Sequence, residues 1–241
     1  MRLAFIADAH ANLPALRAAL GEIRQAGYDL LYHAGDAIAI GPYPAETLDL
    51  LLNTPRIRFL MGNHDAKFVF GLRTPKPPNI THGEIEHQLW THAQLDPALR
   101  AQLATWPYVI ETAFEGVKTT LLHYGLQPSR RDWVPAVRGA TAADMDAMFA
   151  AHDAELVLHG HFHSTSDLTG RCRYVNPGSL GCSGKPIARY CLVEFSQGSY
   201  SLELRAAPYD DTGLFQAFEE RQVPERQFIY RAFLGRRYPP A

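Results

Sequence analysis

The chain has 241 residues, of which 46% are hydrophobic and 20% are charged, as is typical of a soluble globular protein with one substantial core or at most two small domains. Its net charge of −2 gives no electrostatic basis for a dedicated nucleic-acid surface. We expect no signal peptide, because the N-terminal segment MRLAFIADAH reaches an acidic residue after one short apolar run, and no membrane span, because no apolar run approaches about 20 residues. The three cysteines match no CxxC signature, which favours reduced thiols in a cytoplasmic protein.

Strands and helices alternate along the first 61 residues. Arg2 to Ala7 is a short apolar run that predicts a buried strand, and Leu30 to Ala34 and Ile57 to Met61 predict two more. A helix is expected between Asn12, as its N-cap, and Gly27, and a second over Ala45 to Leu52. This alternation predicts an α/β sheet with parallel neighbouring strands.

The middle of the chain departs from that alternation. A loop is predicted over 71–82, followed by one or two helices over 83–103. We interpret this part as a helical insertion at about 66–106 in a single domain that spans 1–241. Three histidines of the insertion are expected at the surface of its helices: His82, His87 and His92.

Strands dominate the second half of the chain. A helix is expected near 142–151, and a helical tail at about 210–237. The apolar face of that tail must be buried on its own domain or on a second subunit, so formation of a homo-oligomer stays open. The predicted strands are 108–114, 117–124, 156–159, 172–176, 188–195 and 199–206, the first two joined by a hairpin turn at Glu115-Gly116.

Polar residues collect where the apolar runs end. A single strand-end Asp is more often a turn residue than a ligand, and a lone His is usually structural. Five such groups in one α/β chain are harder to explain in that way, because ligands bind at this edge of open α/β sheets. Mixed carboxylate, amide and imidazole ligands suit Mn, Fe or Zn better than Ca or Mg. The groups are Asp8-Ala-His10, Gly35-Asp36, Gly62-Asn63-His64-Asp65, His123 and Gly160-His161-Phe162-His163.

This ordered set resembles the calcineurin-like metallophosphoesterase superfamily, and Asn176-Pro-Gly-Ser179 resembles an element of its small bacterial and archaeal phosphodiesterase-type members. The resemblance implies a four-layer α/β/β/α sandwich of two mixed sheets flanked by helices. It also implies a binuclear centre of two divalent transition-metal ions (Mn, Fe or Zn), with His64 as the catalytic residue that contacts the phosphate and helps the leaving oxygen depart. The implied ligands are Asp8, His10 and His163 for one ion, Asn63, His123 and His161 for the other, and Asp36 as the bridge.

The implied function is that of a metal-dependent phosphohydrolase. In such an enzyme a metal-bridging hydroxide cleaves phosphodiester or phosphoanhydride bonds of a small-molecule phosphoester, for example a nucleotide such as a dinucleoside polyphosphate. Two alternatives stay open: a phosphomonoesterase, and a non-catalytic binding scaffold with the same fold. A Ser/Thr protein phosphatase is disfavoured, because Gly35-Asp-Ala-Ile-Ala-Ile-Gly41 stands where that branch typically has GDxxDRG. Ala11 replaces the usual Gly of the opening motif, which is accommodated unless that position needs a positive φ.

Several residues outside the ligand set are candidates for other roles. Tyr124 could stack on a nucleobase together with Trp133, although such residues more often pack. Solvated surface charge is the alternative for each basic candidate. The substrate-binding candidates are Arg130, Arg131, Tyr124 and Lys185. Structural roles are expected for His33, Asp65 and His159, with Asp65 as a helix cap.

Overall fold

The structure is a computed structural model that describes residues 1–78, 80–129 and 132–235. Within these residues, ten strands form two five-stranded sheets, and eight helices accompany them. The strands are β1 (Arg2–Ile6), β2 (Leu30–His33), β3 (Ile57–Phe59), β4 (Val109–Phe114), β5 (Val117–Leu122), β6 (Leu156–Leu158), β7 (Ser166–Thr169), β8 (Arg173–Asn176), β9 (Ile187–Ser196) and β10 (Ser199–Pro208). The helices are α1 (Leu13–Ala26), α2 (Pro44–Leu52), α3 (Asn63–Phe70), α4 (His82–Ala93), α5 (Leu99–Leu103), α6 (Ala142–Met148), α7 (Thr212–Glu220) and α8 (Arg226–Ala232).

The first sheet has the strand order β10-β9-β1-β2-β3. The predicted parallel neighbours are present, since β1 pairs with β2 and β2 with β3 in parallel. On its other side β1 pairs with β9 in antiparallel fashion, so the sheet is mixed. The predicted cap is also present: the Asn12 side chain accepts a hydrogen bond from the Ala15 amide and opens α1, which ends before Gly27.

The second sheet has the order β4-β5-β6-β8-β7. The predicted hairpin joins β4 to β5, and Glu115 and Gly116 at its turn both have positive φ, as tight hairpin turns require. The edge strand β7 was not predicted from the sequence. Its residues, Ser-Asp-Leu-Thr, form no apolar run that would indicate a strand. The extended conformation is stabilised by pairing with one neighbour, β8.

The two sheets pack face to face with helices outside them. Leu3 and Phe5 of β1 belong to the same buried cluster as Leu121, Leu158 and Val175 of the second sheet. Leu16, Leu20 and Ile23 of α1 pack on the outer face of the first sheet, and Met145 and Phe149, at and after α6, pack on that of the second. The expected four-layer α/β/β/α sandwich is therefore confirmed.

Helices of the insertion and the tail complete the molecule. The expected one or two helices over 83–103 are α4 and α5, and α3 precedes them. The tail consists of α7 and α8, whose apolar residues pack with Ile40 and Cys182 of the same chain; its expected end at 236–237 lies outside the described residues. Within the described part of the chain, no helix combines the length and hydropathy needed to cross a membrane.

Candidate metal centre

Side chains from both sheets meet at one edge of the sandwich. Asp8 and His10 follow β1, and Asp36 follows β2. Asn63 and His64 open α3 after β3, and His123 follows β5. His161 and His163 follow β6, which is parallel to β5. Because parallel strands end at the same edge, the topology brings all the predicted ligands into one place.

The backbone of these loops is unusual. Several non-glycine residues have positive φ, including Asp8 (56°), Asp36 (57°) and His161 (72°), a conformation that costs free energy and persists only where the surroundings enforce it. Here the loops enforce one another, since the amide of Asp8 donates to Gly35 O over 3.1 Å and that of His10 to Asp36 O over 3.0 Å. The ligand loops are therefore held in shape by main-chain hydrogen bonds between them.

Ala11 occupies one of these strained positions. Its φ is 51°, so the place where the opening motif usually has Gly does require the left-handed region. Its amide donates to Ala37 O over 3.0 Å, and Ala11 is buried. An alanine at this position is therefore tolerated at the expense of local strain.

The first group of polar atoms lies around Asp8. Asp8 is fully buried, and its Oδ2 accepts a hydrogen bond from the His161 amide over 2.9 Å. Its Oδ1 has no hydrogen-bond partner among the described residues and lies 3.9 Å from His10 Nε2 and 3.8 Å from His163 Nε2. The two imidazole nitrogens are themselves 2.9 Å apart. Three ligating atoms thus surround one point.

The second group lies around Asn63. Its Oδ1 is 3.2 Å from His123 Nε2 and 3.0 Å from His161 Nδ1. The reversed amide would instead donate to both rings, but either orientation directs the end of the side chain to the same point. A cation there favours the oxygen facing inward.

Asp36 lies between the two groups. Its Oδ2 is 3.8 Å from His10 Nε2 and 3.4 Å from His123 Nε2, and its Oδ1 accepts from the His64 amide over 2.8 Å. One carboxylate oxygen is therefore within reach of both groups, as a bridging ligand must be.

The hydrogen bonds of the rings suit metal ligands. His123 Nδ1 donates to Ala34 O over 2.8 Å, and His10 Nδ1 donates to Ile38 O over 3.3 Å. In its neutral form each ring presents a bare Nε2 to the centre, which is the tautomer that a metal ligand needs. Together with the orphaned Asp8 oxygen, these contacts show that the residues fit a metal centre.

The electrostatics of the site also favour a cation. Burial raises the pKa of Asp8 to about 7, because an ionised carboxylate is costly in an apolar surrounding with Asp36 nearby. Burial lowers the pKa of His123, but the carboxylates of Asp36 and Asp8 outweigh that effect and raise it to about 9. In the absence of other positive charge, these acidic groups are balanced by a protonated imidazole, and a bound divalent ion would take over that role.

His64 lies beside the centre and contacts the insertion. Its ring packs edge-on against His10, with centroids 5.3 Å apart, and one ring nitrogen comes within 4.8 Å of a ring nitrogen of His10 and a carboxylate oxygen of Asp36. Its Nδ1 lies 2.7 Å from Nε2 of Gln88. Burial lowers the pKa of His64 to about 3, so the ring is neutral.

Three polar residues that were expected to be structural have structural contacts. Asp65 caps α3 by accepting from the Gly62 amide over 3.1 Å. His33 is buried and its Nδ1 accepts from the Gly35 amide over 3.2 Å. His159 is also buried and packs between Tyr124 and Phe149.

The structure describes two of the substrate-binding candidates, Tyr124 and Lys185. Tyr124 is 1% exposed, and its ring packs against His161 with centroids 4.8 Å apart, which corresponds to the packing role rather than to stacking on a base. Lys185 is exposed and is not among the residues that line the cleft beside the metal centre. Arg130 and Arg131 lie outside the described residues.

A cleft of about 1140 Å³ opens beside the centre. Asn63, His161 and Gln88 form its inner end, and the insertion and the loop around Trp133 form its walls. Its side chains are mainly apolar and aromatic, with a few cationic groups. Among the lining residues are Lys67, Phe70, Arg73, Trp106, Tyr108 and Trp133.

Three neighbours of the site were missed or misplaced by sequence reasoning. His87 was expected at a helix surface, but it is 5% exposed and accepts a hydrogen bond from the Ile40 amide; that prediction was wrong. Gln88 belongs to no sequence motif; its contact with His64 joins α4 to α3. The sulfur of Cys182 comes within 4.8 Å of nitrogen atoms of His10 and His163. The one sequence feature that pointed to this position was the preceding segment Asn176-Pro-Gly-Ser179.

Comparison with known proteins places this geometry in context. The sequence profile of the "Calcineurin-like phosphoesterase superfamily domain" matches residues 1–198. Uncharacterized protein MJ0912 of Methanocaldococcus jannaschii is 27% identical over 97% of this chain and 98% of its own length. A metallophosphoesterase from Sphaerobacter thermophilus superposes with a TM-score of 0.73 at 24% identity, over 96% of this chain and 98% of that one. Hypothetical protein PH1004 from Pyrococcus horikoshii OT3 superposes with a TM-score of 0.77 at 20% sequence identity, over 97% of this chain and 98% of that one.

Proposed function

The chain belongs to the calcineurin-like phosphoesterase superfamily, and we propose that it is a metal-dependent phosphohydrolase that cleaves phosphodiester or phosphoanhydride bonds of a small molecule such as a nucleotide. The observation that carries the proposal is the position of Asp36, whose Oδ2 lies within 4 Å of imidazole nitrogens from both ligand groups. The residues that would hold two divalent ions are Asp8, His10 and His163 on one side, Asn63, His123 and His161 on the other, and Asp36 between them.

The chemistry that such ions supply when bound is an activated water and neutralisation of the phosphoryl charge. The chain supplies the rest. The hydrogen bonds of His10 and His123 to carbonyl oxygens hold their rings in the ligating tautomer. His64, a neutral ring next to His10 and Asp36, supplies a hydrogen-bond donor for a phosphoryl oxygen or the leaving oxygen. Tyr124 and Trp133 pack against His161 and His123 and limit movement of those rings.

The cleft supports a substrate larger than a phosphate group. Its volume of about 1140 Å³ exceeds the usual range for small-ligand pockets, and it begins at Asn63 and His161. The rings of Trp133 and Tyr108 lie in its wall with centroids 5.4 Å apart. An aromatic wall of this kind suits a nucleobase, and Lys67, which pairs with Glu84 over 3.1 Å, adds a cationic group to the same cleft.

The test is hydrolysis of bis(p-nitrophenyl) phosphate beside p-nitrophenyl phosphate with Mn²⁺. Wild type is compared with Asp36→Asn and with Asp153→Asn, a matched control at an exposed surface carboxylate. We expect metal-dependent diester turnover in wild type and the control, and a loss of at least about 100-fold in Asp36→Asn.

The other outcomes separate the alternatives. Preferred turnover of the monoester would replace the proposal with a phosphomonoesterase. Absence of turnover together with absence of metal uptake would favour the binding scaffold. If the diester is turned over, a panel of dinucleoside polyphosphates and cyclic nucleotides then tests the nucleotide assignment, and weaker turnover of every nucleotide than of the chromogenic diester would reject it.

A further inference from the structure

We propose that Gln88 is a positioning residue that fixes the tautomer of His64, so that the ring presents an N–H at Nε2 to the reaction centre. The part of this inference that concerns catalysis rests on the proposed phosphohydrolase function. The part that concerns the tautomer is independent of it. Gln88 belongs to α4, in the insertion, and lies outside the ligand motifs.

The contact between the two side chains is short and shielded from water. Gln88 Nε2 lies 2.7 Å from His64 Nδ1, and Gln88 is 2% exposed. In such surroundings a hydrogen bond is not exchanged for one with water, so it controls the orientation of its partners. The other end of the amide, Oε1, is buried and has no hydrogen-bond partner among the described residues, so His64 is the described polar partner that holds this side chain.

The chemistry of the two groups determines where the proton lies. An amide NH₂ can only donate, and a neutral imidazole has one donor and one acceptor nitrogen. When Gln88 donates to Nδ1, that nitrogen is the acceptor and the proton is at Nε2, across the ring from α4. A donor at Nε2 is the group that can contact a phosphoryl or leaving oxygen, whereas the opposite tautomer would present a lone pair and repel it.

Both partners are anchored, so the contact has a defined geometry. The His64 amide donates to Asp36 Oδ1 over 2.8 Å, which holds the start of α3. On α4, the neighbouring His87 accepts from the Ile40 amide over 2.8 Å and donates from Nδ1 to Pro224 O over 3.0 Å. The insertion is thereby attached at the level of Gln88 to the loop after β2 and to the tail. Because Gln88 contacts His64, the anchored insertion also fixes the position of the His64 ring.

The test of the tautomer uses ¹⁵N-labelled, Zn²⁺-loaded protein, because zinc is diamagnetic. Long-range ¹H–¹⁵N correlation spectra report which ring nitrogen of a histidine carries the proton, and the His64 signals are those missing from His64→Ala. We expect an Nε2–H ring in wild type, a mixture of tautomers in Gln88→Met, and an Nδ1–H ring in Gln88→Glu, because a carboxylate accepts where the amide donated. Gln88→Glu also keeps the test open if Gln88→Met fails to fold.

The matched control is Thr91→Val. Thr91 lies one turn further along α4, is fully buried, and its Oγ1 has no hydrogen-bond partner among the described residues. We expect the His64 signals of this variant to equal those of wild type. An Nδ1–H ring in wild type would overturn the proposal, as would the same change of tautomer in Thr91→Val and Gln88→Met.

The kinetic arm tests whether the tautomer matters for turnover. Gln88→Met should lower kcat about 10- to 100-fold, the range found when a metal-bound histidine loses its outer hydrogen-bond partner, with KM changed less than about threefold. In a His64→Ala background the same substitution should have no further effect, because it acts through the ring. Additive losses in the double variant would show a general structural effect and would overturn the positioning role. Absence of any Asp36-dependent turnover would reject the proposed function instead, while the NMR result would still decide the tautomer.

Discussion

Asp65 binds the backbone of Asp36: the Asp36 amide donates to Asp65 Oδ2 over 2.7 Å. The same carboxylate accepts from the amides of Ala37 over 3.0 Å and Gly62 over 3.1 Å. It therefore joins the loop after β2 to the start of α3, and these are the two segments that carry Asp36, Asn63 and His64. The position of the proposed bridging carboxylate thus depends on a residue that is not itself directed at the metal centre.

Asp65→Ala should weaken both the fold and the metal centre. Three amide donors lose their acceptor, so we expect the free energy of unfolding to fall by about 2–4 kcal/mol and metal affinity to fall about 10- to 100-fold. Urea denaturation of the metal-free protein measures the first effect, and titration with Mn²⁺ or Zn²⁺ measures the second. Asp153→Asn serves as the surface control. Unchanged metal affinity in a folded Asp65→Ala protein would contradict the structural role described above.

Asp36→Asn and His64→Ala should separate metal binding from catalysis. Asp36→Asn weakens the oxygen shared by both ligand groups, so we expect reduced metal content after dialysis, measured by elemental analysis. His64→Ala should keep its metals and still lose turnover, because His64 is assigned to the substrate. One ring nitrogen of His64 lies within 4.8 Å of a ring nitrogen of His10 and a carboxylate oxygen of Asp36, so the assignment is open to a direct check: equal loss of metal from both variants would make His64 a ligand.

Gly62→Ala should be poorly tolerated. A Cβ at this position would overlap the backbone nitrogen and Oδ1 of Asp36, so the loop after β2 would have to move. We expect a loss of several kcal/mol in unfolding free energy and reduced metal content. Gly21→Ala, inside α1 with no atom near the new Cβ, should instead raise stability by about 0.5–1 kcal/mol. Thermal and urea unfolding of both variants test this contrast, and similar small effects would contradict it.

His87 should make stability depend on pH. Burial lowers its pKa below the ordinary 6.5, and its Nε2 must stay unprotonated to accept from the Ile40 amide. The unfolded chain therefore binds a proton more readily than the folded protein does. The stabilising effect of the neutral ring is complete above pH 6.5 and is lost as the pH falls from there toward the lowered pKa.

The measurement is urea denaturation at pH 8, 7, 6 and 5 for wild type and His87→Gln, both freed of metal. Gln can make an acceptor and a donor contact but does not titrate, so the stability difference between the two proteins should change in favour of His87→Gln as the pH falls. Parallel pH dependences of the two proteins would mean that His87 does not titrate on unfolding.

The sequence predicts that the candidate ligands meet at one edge of the fold because each stands at the end of a short apolar strand. Asp8, Asp36 and Asn63 follow three strands that alternate with helices, so their convergence follows from the parallel order that such alternation favours. The sequence also predicts the helix cap at Asn12 and the hairpin turn at Glu115, because both depend only on neighbouring residues.

The parts that the sequence did not predict depend on contacts between distant segments. The burial of His87 is produced by Ile40 and Pro224, which are 47 and 137 residues away, and no local pattern reports such contacts. The partnership of Gln88 with His64 likewise depends on how the insertion packs on α3. The sequence is compatible with either stacking of Tyr124 on a nucleobase or packing of its ring inside the protein. Its packing against His161 follows from the shape of the assembled site.

The place of β1 in the first sheet has a consequence for how the protein is made. β1 lies between β2 and β9, and its residue Leu3 pairs with Val193. During synthesis one edge of β1 thus has no partner until nearly 200 residues have been translated, and pairings so distant in sequence close slowly. His161 and His163 also join Asp8 only after most of the chain has emerged. Newly made chains therefore pass through a stage in which one edge of β1 is unpaired. The extent of chaperone binding and of misassembly then depends on how fast the chain is translated as well as on the stability of the folded protein.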